Sequence, residues 1–280
     1  MAVDVVASAR RVANAPMGAL DTLGEQMSFY LRALGWTPRT IRHYKKETMR
    51  LLSEVVFGSG SLAIIGGTVG VIAFLSFFTG TEVGLQGYAA LSQLGVASYS
   101  GFFTAFFNTR EIAPLVAGLA LSATVGCGFT AQLGAMRISE EIDALEVMAV
   151  PSLPFLVTTR IIAGFIAVIP LYIIGLLSSY LASYAIVVFY YSDSAGTYSH
   201  YFHLFLPPLD VIWSFFKVLV FAIVIILTHC YFGYTASGGP AGVGVAVGRA
   251  VRLAIVALNI VDFFLSFAVW VSTTSVRLAG

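Results

Sequence analysis

Charged side chains are scarce in this sequence. Only 10% of its 280 residues are Asp, Glu, Lys or Arg, whereas 58% are hydrophobic. Because about a quarter of the residues in a soluble domain are charged, this composition excludes an ordinary soluble protein and indicates a polytopic membrane protein. A stretch of about 20 apolar residues is enough to cross the hydrocarbon core of a bilayer. The longest uncharged stretches are 55–81, 83–109, 112–136, 161–192 and 218–248.

Motifs for catalysis and cofactor binding are also lacking. The Gly-rich segment 238–244 has no Gly-Lys-Ser/Thr ending of a P-loop, and no other stretch carries that pattern. Neither a Ser-His-Asp set nor a metal-ligand cluster is evident, so we expect no enzyme activity, metal or cofactor in this chain. If ATP drives the protein, ATP and Mg²⁺ must bind to a separate subunit.

Cysteine is rare, and other signals are missing. Cys127 and Cys230 lie in apolar stretches, so we expect packed side chains rather than a disulfide or metal site. His229 has no second ligand at metal spacing. The first 50 residues lack the apolar core and small-residue cleavage site of a cleavable signal peptide. No basic patch has the interleaved aromatics of a nucleic-acid-binding surface.

The N-terminal segment 1–54 differs from the rest of the chain because it is basic. It holds eight of the fifteen Lys and Arg residues, interleaved with aromatic and aliphatic side chains. This pattern predicts an amphipathic helix lying in the membrane interface, with a basic juxtamembrane tail as the alternative. We therefore divide the chain into the segment 1–54 and a transmembrane domain, 55–280.

The uncharged stretches predict an all-α domain with five transmembrane helices. We expect turns at Leu85–Gly95, which contains Gln and Gly, and at the Gly-rich Ser237–Gly244. The predicted spans are about 55–79, 100–134, 155–190, 209–232 and 250–275.

The distribution of basic residues predicts the orientation. With a cytoplasmic N-terminus, twelve Lys or Arg residues lie on the inner side, whereas Arg277 is alone on the outer side. Cytoplasmic segments carry the excess of Lys and Arg, so the N-terminus is predicted inside the cytoplasmic membrane and the C-terminus outside.

An acidic amphipathic segment, 137–151, lies between two of the predicted spans. Acidic residues in its first turn favour a helix through the helix dipole, and Pro151 ends it. We predict a coupling helix at 138–150 that inserts into a groove of a cytoplasmic partner, with a solvated loop helix as the alternative. The residues predicted to make this contact are Arg137, Glu140, Glu141, Asp143, Leu145, Glu146 and Met148.

Charged residues also occur inside the spans. Arg110 and Glu111 interrupt the second span, where a charge costs at least about 2.5 kcal/mol, and they form either a structural ion pair or a polar patch for an anionic headgroup. Pro114 leaves a carbonyl one turn earlier without its usual donor. Lys217 and Asp262 reach similar depth in the fourth and fifth spans, which predicts a structural pair between those helices.

Several ordered motifs across about 55–275 resemble the MlaE/YrbE-type permeases of MCE-associated ABC transporters, especially their actinobacterial YrbE B-like branch. The motifs are Leu85-Gln86-Gly87-Tyr88 with Leu91-Ser92-Gln93, Arg110-Glu111-Ile112-Ala113-Pro114, Gly134-Ala135-Met136-Arg137 through Ile142-Asp143-Ala144-Leu145 and Met148, and Gly233-Tyr234 with the Gly-rich turn and Arg249.

The resemblance implies a permease half that dimerises around a lipid cavity. It also implies an ABC ATPase dimer bound at 137–151 and MCE-domain proteins on the outer side. Arg110, Glu111 and the adjoining Ile112 match positions at the lipid cavity. Fatty acids, sterols or complex lipids are the implied cargo, with import as the implied direction.

One departure from the family pattern bears on the partner. The family commonly has Ala-Gly-Arg-x-Gly and a Glu eight residues after that Arg, whereas this chain has Thr124 and Gln132 at the charged positions. We therefore favour a heterodimer with a homologous YrbE-like permease that keeps both charges.

Two other functions remain open at this point. A secondary transporter driven by protons or ions would use the intramembrane charges without an ATPase, although no inverted repeat is evident. A membrane scaffold that anchors an MCE assembly would need no lipid cavity. Neither alternative needs the acidic cytoplasmic segment.

Overall fold

The computed structural model describes residues 21–57 and 67–271, and the described part of the chain is built from helices with no strand. This confirms the predicted all-α fold. The helices are α1 (21–35), α2 (Thr37–His43), α3 (Lys45–Phe57), α4 (Thr68–Gln93), α5 (Ala97–Ile138), α6 (Glu141–Val147), α7 (Leu153–Tyr190), α8 (Ala195–Leu204), α9 (Pro208–Tyr234) and α10 (Gly239–Trp270).

Five of the described helices, α4, α5, α7, α9 and α10, are long and apolar enough to cross a membrane. The 42 residues of α5 correspond to about 63 Å at 1.5 Å per residue, so this helix extends well beyond a hydrocarbon core of about 30 Å. The count of five spans agrees with the sequence prediction. Residues 58–66 of the predicted first span and 272–275 of the predicted fifth span lie outside the described residues.

Only the end of the predicted turn after the first span was confirmed: Leu94 and Gly95 form a turn, and Gly95 has a positive φ of 74°. Leu85–Tyr88 and Leu91–Gln93 are helical and belong to α4, which begins at Thr68. The helical glycines Gly84 and Gly87 allow close packing instead: a Cβ at Gly84 would lie 3.2 Å from the Cα atom of Ser183 in α7. The first span is therefore displaced toward the C-terminus relative to the prediction.

The Gly-rich turn was also predicted too long. Only Gly238 and Gly239 have positive φ angles, of 88° and 69°, and α10 begins at Gly239. Pro240 occupies the first turn of α10, where its fixed φ favours a helix start and its missing N–H costs nothing. Residues 240–249 therefore belong to the fifth span instead of preceding it.

The membrane-length helices run in two opposite directions. Gly80 packs against Ser179 and Gly175 against Ile72, so α4 and α7 run parallel. By contrast, α5 and α9 run the opposite way, because α6 joins the end of α5 to the start of α7 and a short turn joins α9 to α10. We call the two ends of the bundle the α6 end and the α8 end.

The N-terminal helices lie at the α6 end. Phe29 of α1 packs edge-on against Tyr231 near the end of α9, with ring centroids 5.4 Å apart. Thr158, at the start of α7, donates a hydrogen bond of 2.9 Å to the carbonyl oxygen of Ala33. The basic helices and the acidic segment therefore share one end of the molecule. The helix α3 continues to Phe57, past the predicted boundary at 54.

Two π-helical turns interrupt α5, at Asn108–Ile112 and Ser122–Gly126. Such a turn inserts an extra residue and is frequent at functional sites. The first of them carries both Arg110 and Glu111.

Candidate functional site

Arg110 projects from the first π-helical turn of α5 toward the start of α9. Its Nη2 atom lies 2.6 Å from Oδ2 of Asp210, and its Nε atom donates to the same oxygen at 2.8 Å. The indole Nε1 of Trp270 donates to the other oxygen of Asp210 at 3.2 Å. The guanidinium also lies 4.1 Å from the centre of the Phe106 ring. Arg110 is therefore held by one carboxylate and by the rings of Phe106 and Trp270.

Lys217 of α9 joins α5 to α10. Its Nζ atom lies 2.6 Å from Oδ1 of Asp262 and 3.0 Å from Oε2 of Glu111. Ser266 completes the arrangement, because it accepts from Lys217 at 2.7 Å and donates to the second oxygen of Glu111 at 2.9 Å. The structure thus brings together Glu111, Lys217 and Asp262, which the sequence had placed in two separate sets.

Five ionisable side chains form what we call the ion cluster: Arg110, Glu111, Asp210, Lys217 and Asp262. Lys217 is only 2% exposed, whereas Glu111 is 34% exposed and lies at the open edge. Each charge has an oppositely charged neighbour, as expected for ionisable groups held within a membrane. Ile112 is half-buried beside the cluster.

Asp210 is the member that the sequence analysis missed. It lies in the first turn of α9, where a negative charge is favoured by the helix dipole and is ordinarily read as a capping residue. Because Pro208 begins that helix, an acidic residue in its first turn needs no partner on another helix to account for it. Only the packing of α5 against α9 brings its carboxylate to Arg110.

The acidic segment, 137–151, forms an elbow rather than the continuous coupling helix predicted for 138–150. Glu140 and Ala149 have positive φ angles of 60° and 58°, and the helix between them, α6, contains only seven residues. A non-glycine residue with positive φ turns the chain sharply, so the segment changes direction both before and after α6.

The elbow has a buried side and an exposed side. Ile142 is completely buried and Leu145 is half-buried against the core, whereas Val147 and Met148 are 88% and 64% exposed. Arg137 Nη1 lies 2.7 Å from Oδ1 of Asp143. The remaining acidic side chains of the elbow, Glu140, Glu141 and Glu146, are exposed.

Glu146 also fixes the second bend of the elbow. Its Oε1 atom accepts a hydrogen bond of 2.7 Å from Ser152, and the hydroxyl of Ser152 lies 2.8 Å from that of Tyr234 at the end of α9. The elbow is thus tied to α9 as well as to α5 and α7.

The two positions that depart from the family pattern lie on α5. Thr124 donates a hydrogen bond of 2.7 Å to the carbonyl oxygen of Ala120 in its own helix. Gln132, in contrast, contacts Glu54 of α3 and Arg160 of α7, at 2.9 and 3.2 Å. His229 is packed against α5, where its ring nitrogens lie within hydrogen-bonding distance of the hydroxyls of Ser122 and Thr130.

The chain matches known permeases over most of its length. Residues 58–268 match the family described as "Permease MlaE". A probable ABC transporter permease protein of Rickettsia bellii is 33% identical over 181 residues, which is 65% of this chain and 70% of the relative. A probable ABC transporter permease protein of Synechocystis is 28% identical over 234 residues, covering 84% of this chain and 86% of the relative.

A plant relative extends the comparison. The protein TRIGALACTOSYLDIACYLGLYCEROL 1 of Arabidopsis thaliana, a chloroplast protein, is 31% identical over 206 residues, or 71% of this chain and 57% of the relative. The family model covers three quarters of the chain and includes the ion cluster, the elbow and the five described spans except for the last two residues of α10. The chain therefore belongs to the MlaE permease family.

Proposed function

We propose that this chain is the transmembrane permease subunit of an ATP-driven lipid transporter and that ATP is hydrolysed by a separate ABC ATPase dimer. The observation that carries the proposal is the elbow at the α6 end, where Val147 and Met148 are exposed directly after Glu146 while Ile142 is buried. A surface that is anchored from within and apolar at its tip fits insertion into a groove of a partner protein.

The chemistry of the elbow specifies the groove. Apolar side chains at the tip require an apolar pocket, and the exposed carboxylates of Glu140, Glu141 and Asp143 require a rim with basic residues. Movement of such a groove would push on the elbow, which is tied to α5, α7 and α9. This is rigid-body coupling, and it requires no chemistry in this chain.

The lipid would be held near the ion cluster. Arg110 and Glu111 have the largest exposed side-chain fractions of the five, at 19% and 34%, so they form the accessible polar edge in an otherwise apolar span. A cation and an anion side by side suit the headgroup of a fatty acid or phospholipid, while surrounding apolar side chains suit its acyl chains. Apolar contacts discriminate weakly between chains, so sterols fit the same proposal.

A second permease subunit would cover the outer face of α10. This face is exposed along much of the helix, and it carries Arg252 and Asn259 within a membrane-length segment. Polar side chains in a span usually face protein or water rather than lipid tails. We propose a homologous permease as the occupant. A heterodimer is favoured because Thr124 and Gln132 replace charges that are common in the family.

The remaining partners follow from the arrangement of the two ends. With the α6 end on the cytoplasmic side of a bacterial inner membrane, the α1–α3 helices lie at the inner interface and the C-terminus lies outside. MCE-domain proteins would then bind at the α8 end. The exposed stripe Leu23, Met27 and Leu31 of α1 fits contact with the membrane interface.

Native mass spectrometry of the complex, purified from its own host through a tag on this chain, tests the proposal. We expect one copy of this chain, one homologous permease, two ATPase subunits and bound lipid.

Variants of the elbow test where the ATPase binds. The double variant Val147→Asp, Met148→Asp should lose the ATPase, whereas Leu94→Asp, at an exposed apolar residue of the α8 end, should retain it. Retention in both variants would contradict coupling through the elbow. Transport-competent protein without an ATPase would favour the secondary transporter, and two copies of this chain would overturn the heterodimer.

A further inference from the structure

Arg160 of α7 is a buried cation without a carboxylate beside it. The residue is 5% exposed, and among the described residues none places a carboxylate oxygen within ion-pair distance of its guanidinium. Its Nη1 atom donates to the carbonyl oxygen of Leu156 at 2.7 Å, and its Nη2 atom donates to Oε1 of Gln132 at 3.2 Å. A buried charge of this kind needs compensation from somewhere.

Gln132 links this cation to an acidic residue on another helix. While its carbonyl oxygen accepts from Arg160, its Nε2 atom donates to Oε1 of Glu54 in α3 at 2.9 Å. Only one orientation of the amide works, because the reverse would set its NH₂ group against the guanidinium and its oxygen against the carboxylate. Gln132 therefore lies between a positive and a negative group and forms a hydrogen bond with each.

The residue type at 132 is restricted by these neighbours. A carboxylate at this position would pair with Arg160 but would face Glu54 at hydrogen-bonding distance with no proton to share. An apolar side chain would leave both charged groups without this partner. Contacts within this chain therefore account for the neutral amide at position 132.

The link lies directly behind the elbow. Gln132 is six residues before the end of α5 and Arg160 is seven residues after the start of α7, so both lie about 10 Å along their helices from the elbow. Their contact joins the two helices that hold α6, and Glu54 adds α3 to the same unit.

We propose that Gln132 is a positioning residue that connects the charge of Glu54 to Arg160 and thereby makes α3, α5 and α7 move as one body when α6 is pushed. The inference rests on the proposed function, since it assumes that an ATPase acts on the elbow. It adds the N-terminal helices to the moving unit and assigns to Gln132 a role in coupling inside this chain.

A charge-exchange experiment on the complete complex in lipid vesicles tests this role. Gln132→Glu should reduce the lipid transferred per ATP hydrolysed by about tenfold, while the ATPase still copurifies. The double variant Gln132→Glu, Glu54→Gln exchanges the carboxylate and the amide, and should return this ratio to within about twofold of the wild type.

Two further variants complete the design. Glu25→Gln is the matched control, because Glu25 is an exposed carboxylate of α1 outside the Glu54–Gln132–Arg160 contacts, so the ratio should not change. If Gln132→Glu does not assemble, Glu54→Gln tests the same link, since it removes the charge and keeps a hydrogen-bond acceptor. A reduced ratio with the complex intact supports the proposal.

Three results would overturn it. Gln132→Glu could couple as well as the wild type, the double variant could be no better than the single one, or the changes could be confined to thermal stability and yield with the ratio unchanged. A wild-type complex that contains no ATPase would instead defeat the proposed function, so the two failures are distinguishable.

Discussion

The ammonium group of Lys217 donates a hydrogen bond of 2.9 Å to the backbone carbonyl oxygen of Arg110. Pro114, four residues further along α5, has no N–H with which to serve that carbonyl. A proline in one span and a lysine in another are therefore parts of one arrangement. The lysine satisfies a main-chain acceptor while its charge holds Glu111 and Asp262.

Replacing Lys217 by Met should destabilise the protein severely. The variant would leave two carboxylates and a carbonyl oxygen without their common donor, and removing one partner of a buried ion pair costs about 3–5 kcal/mol. Thermal unfolding in detergent measures the effect. Lys46→Met, at an exposed lysine of α3, should have almost no effect, and equal melting temperatures for the two variants would contradict the assigned role of Lys217.

Replacing Asp210 by Asn should strengthen the retention of anionic lipids. The amide oxygen can still accept from Trp270, but Arg110 loses the carboxylate at 2.6 Å and its charge becomes available to a ligand. An available cation contributes about 1 kcal/mol to binding an anionic lipid, which corresponds to about a fivefold gain. Titration with phosphatidylglycerol measures this gain, and phosphatidylcholine serves as the control. An unchanged affinity for the anionic lipid would argue against Arg110 as a headgroup ligand.

Two glycines of α5 should respond oppositely to alanine. A Cβ at Gly126 would lie 2.6 Å from the imidazole of His229, whereas a Cβ at Gly128 would meet nothing within 4 Å. Gly126→Ala should cost about 1–3 kcal/mol through overpacking, because Ser122 and Thr130 hold the imidazole on both sides. Gly128→Ala should be neutral or slightly stabilising. Thermal unfolding of both variants tests the close approach of α5 to α9. Equal melting temperatures for the two variants would contradict it.

Substitutions on the two sides of the elbow should have different effects: those on the buried side should lower stability, and those on the exposed side should weaken ATPase binding. Ile142→Ala removes a completely buried side chain and should cost about 2–5 kcal/mol. Val147→Ala, at a residue that is 88% exposed, should change the stability of the isolated chain by no more than about 0.5 kcal/mol and should weaken ATPase binding. Chemical unfolding and copurification with the ATPase measure the two effects. A stability loss at Val147 as large as that at Ile142 would show that the elbow packs differently.

Much of the fold could be predicted from local sequence. Runs of uncharged residues predict five spans because the length and polarity of a membrane helix are set by the bilayer rather than by its neighbours. The turns were harder to predict. Gly84 and Gly87 could have marked a turn or a close helix contact, and only the side chains of the neighbouring helices distinguish the two.

The candidate site divides in the same way. Sequence alone determined that Arg110, Glu111, Lys217 and Asp262 lie within spans and that an acidic segment stands between two of them. It also determined that this segment has an apolar side, because helical spacing is a local property. What it leaves open is which charges meet, because a helix presents side chains in every direction around its axis.

Tertiary structure alone decided the partners. Asp210 pairs with Arg110 across 100 residues of sequence, and Gln132 joins Glu54 to Arg160 across two other helices. The physical reason is that Coulomb attraction and hydrogen bonding act over a few ångströms of space. Sequence fixes how deep each charged residue lies in the membrane, while the rotation and packing of the helices decide which charged residues come that close.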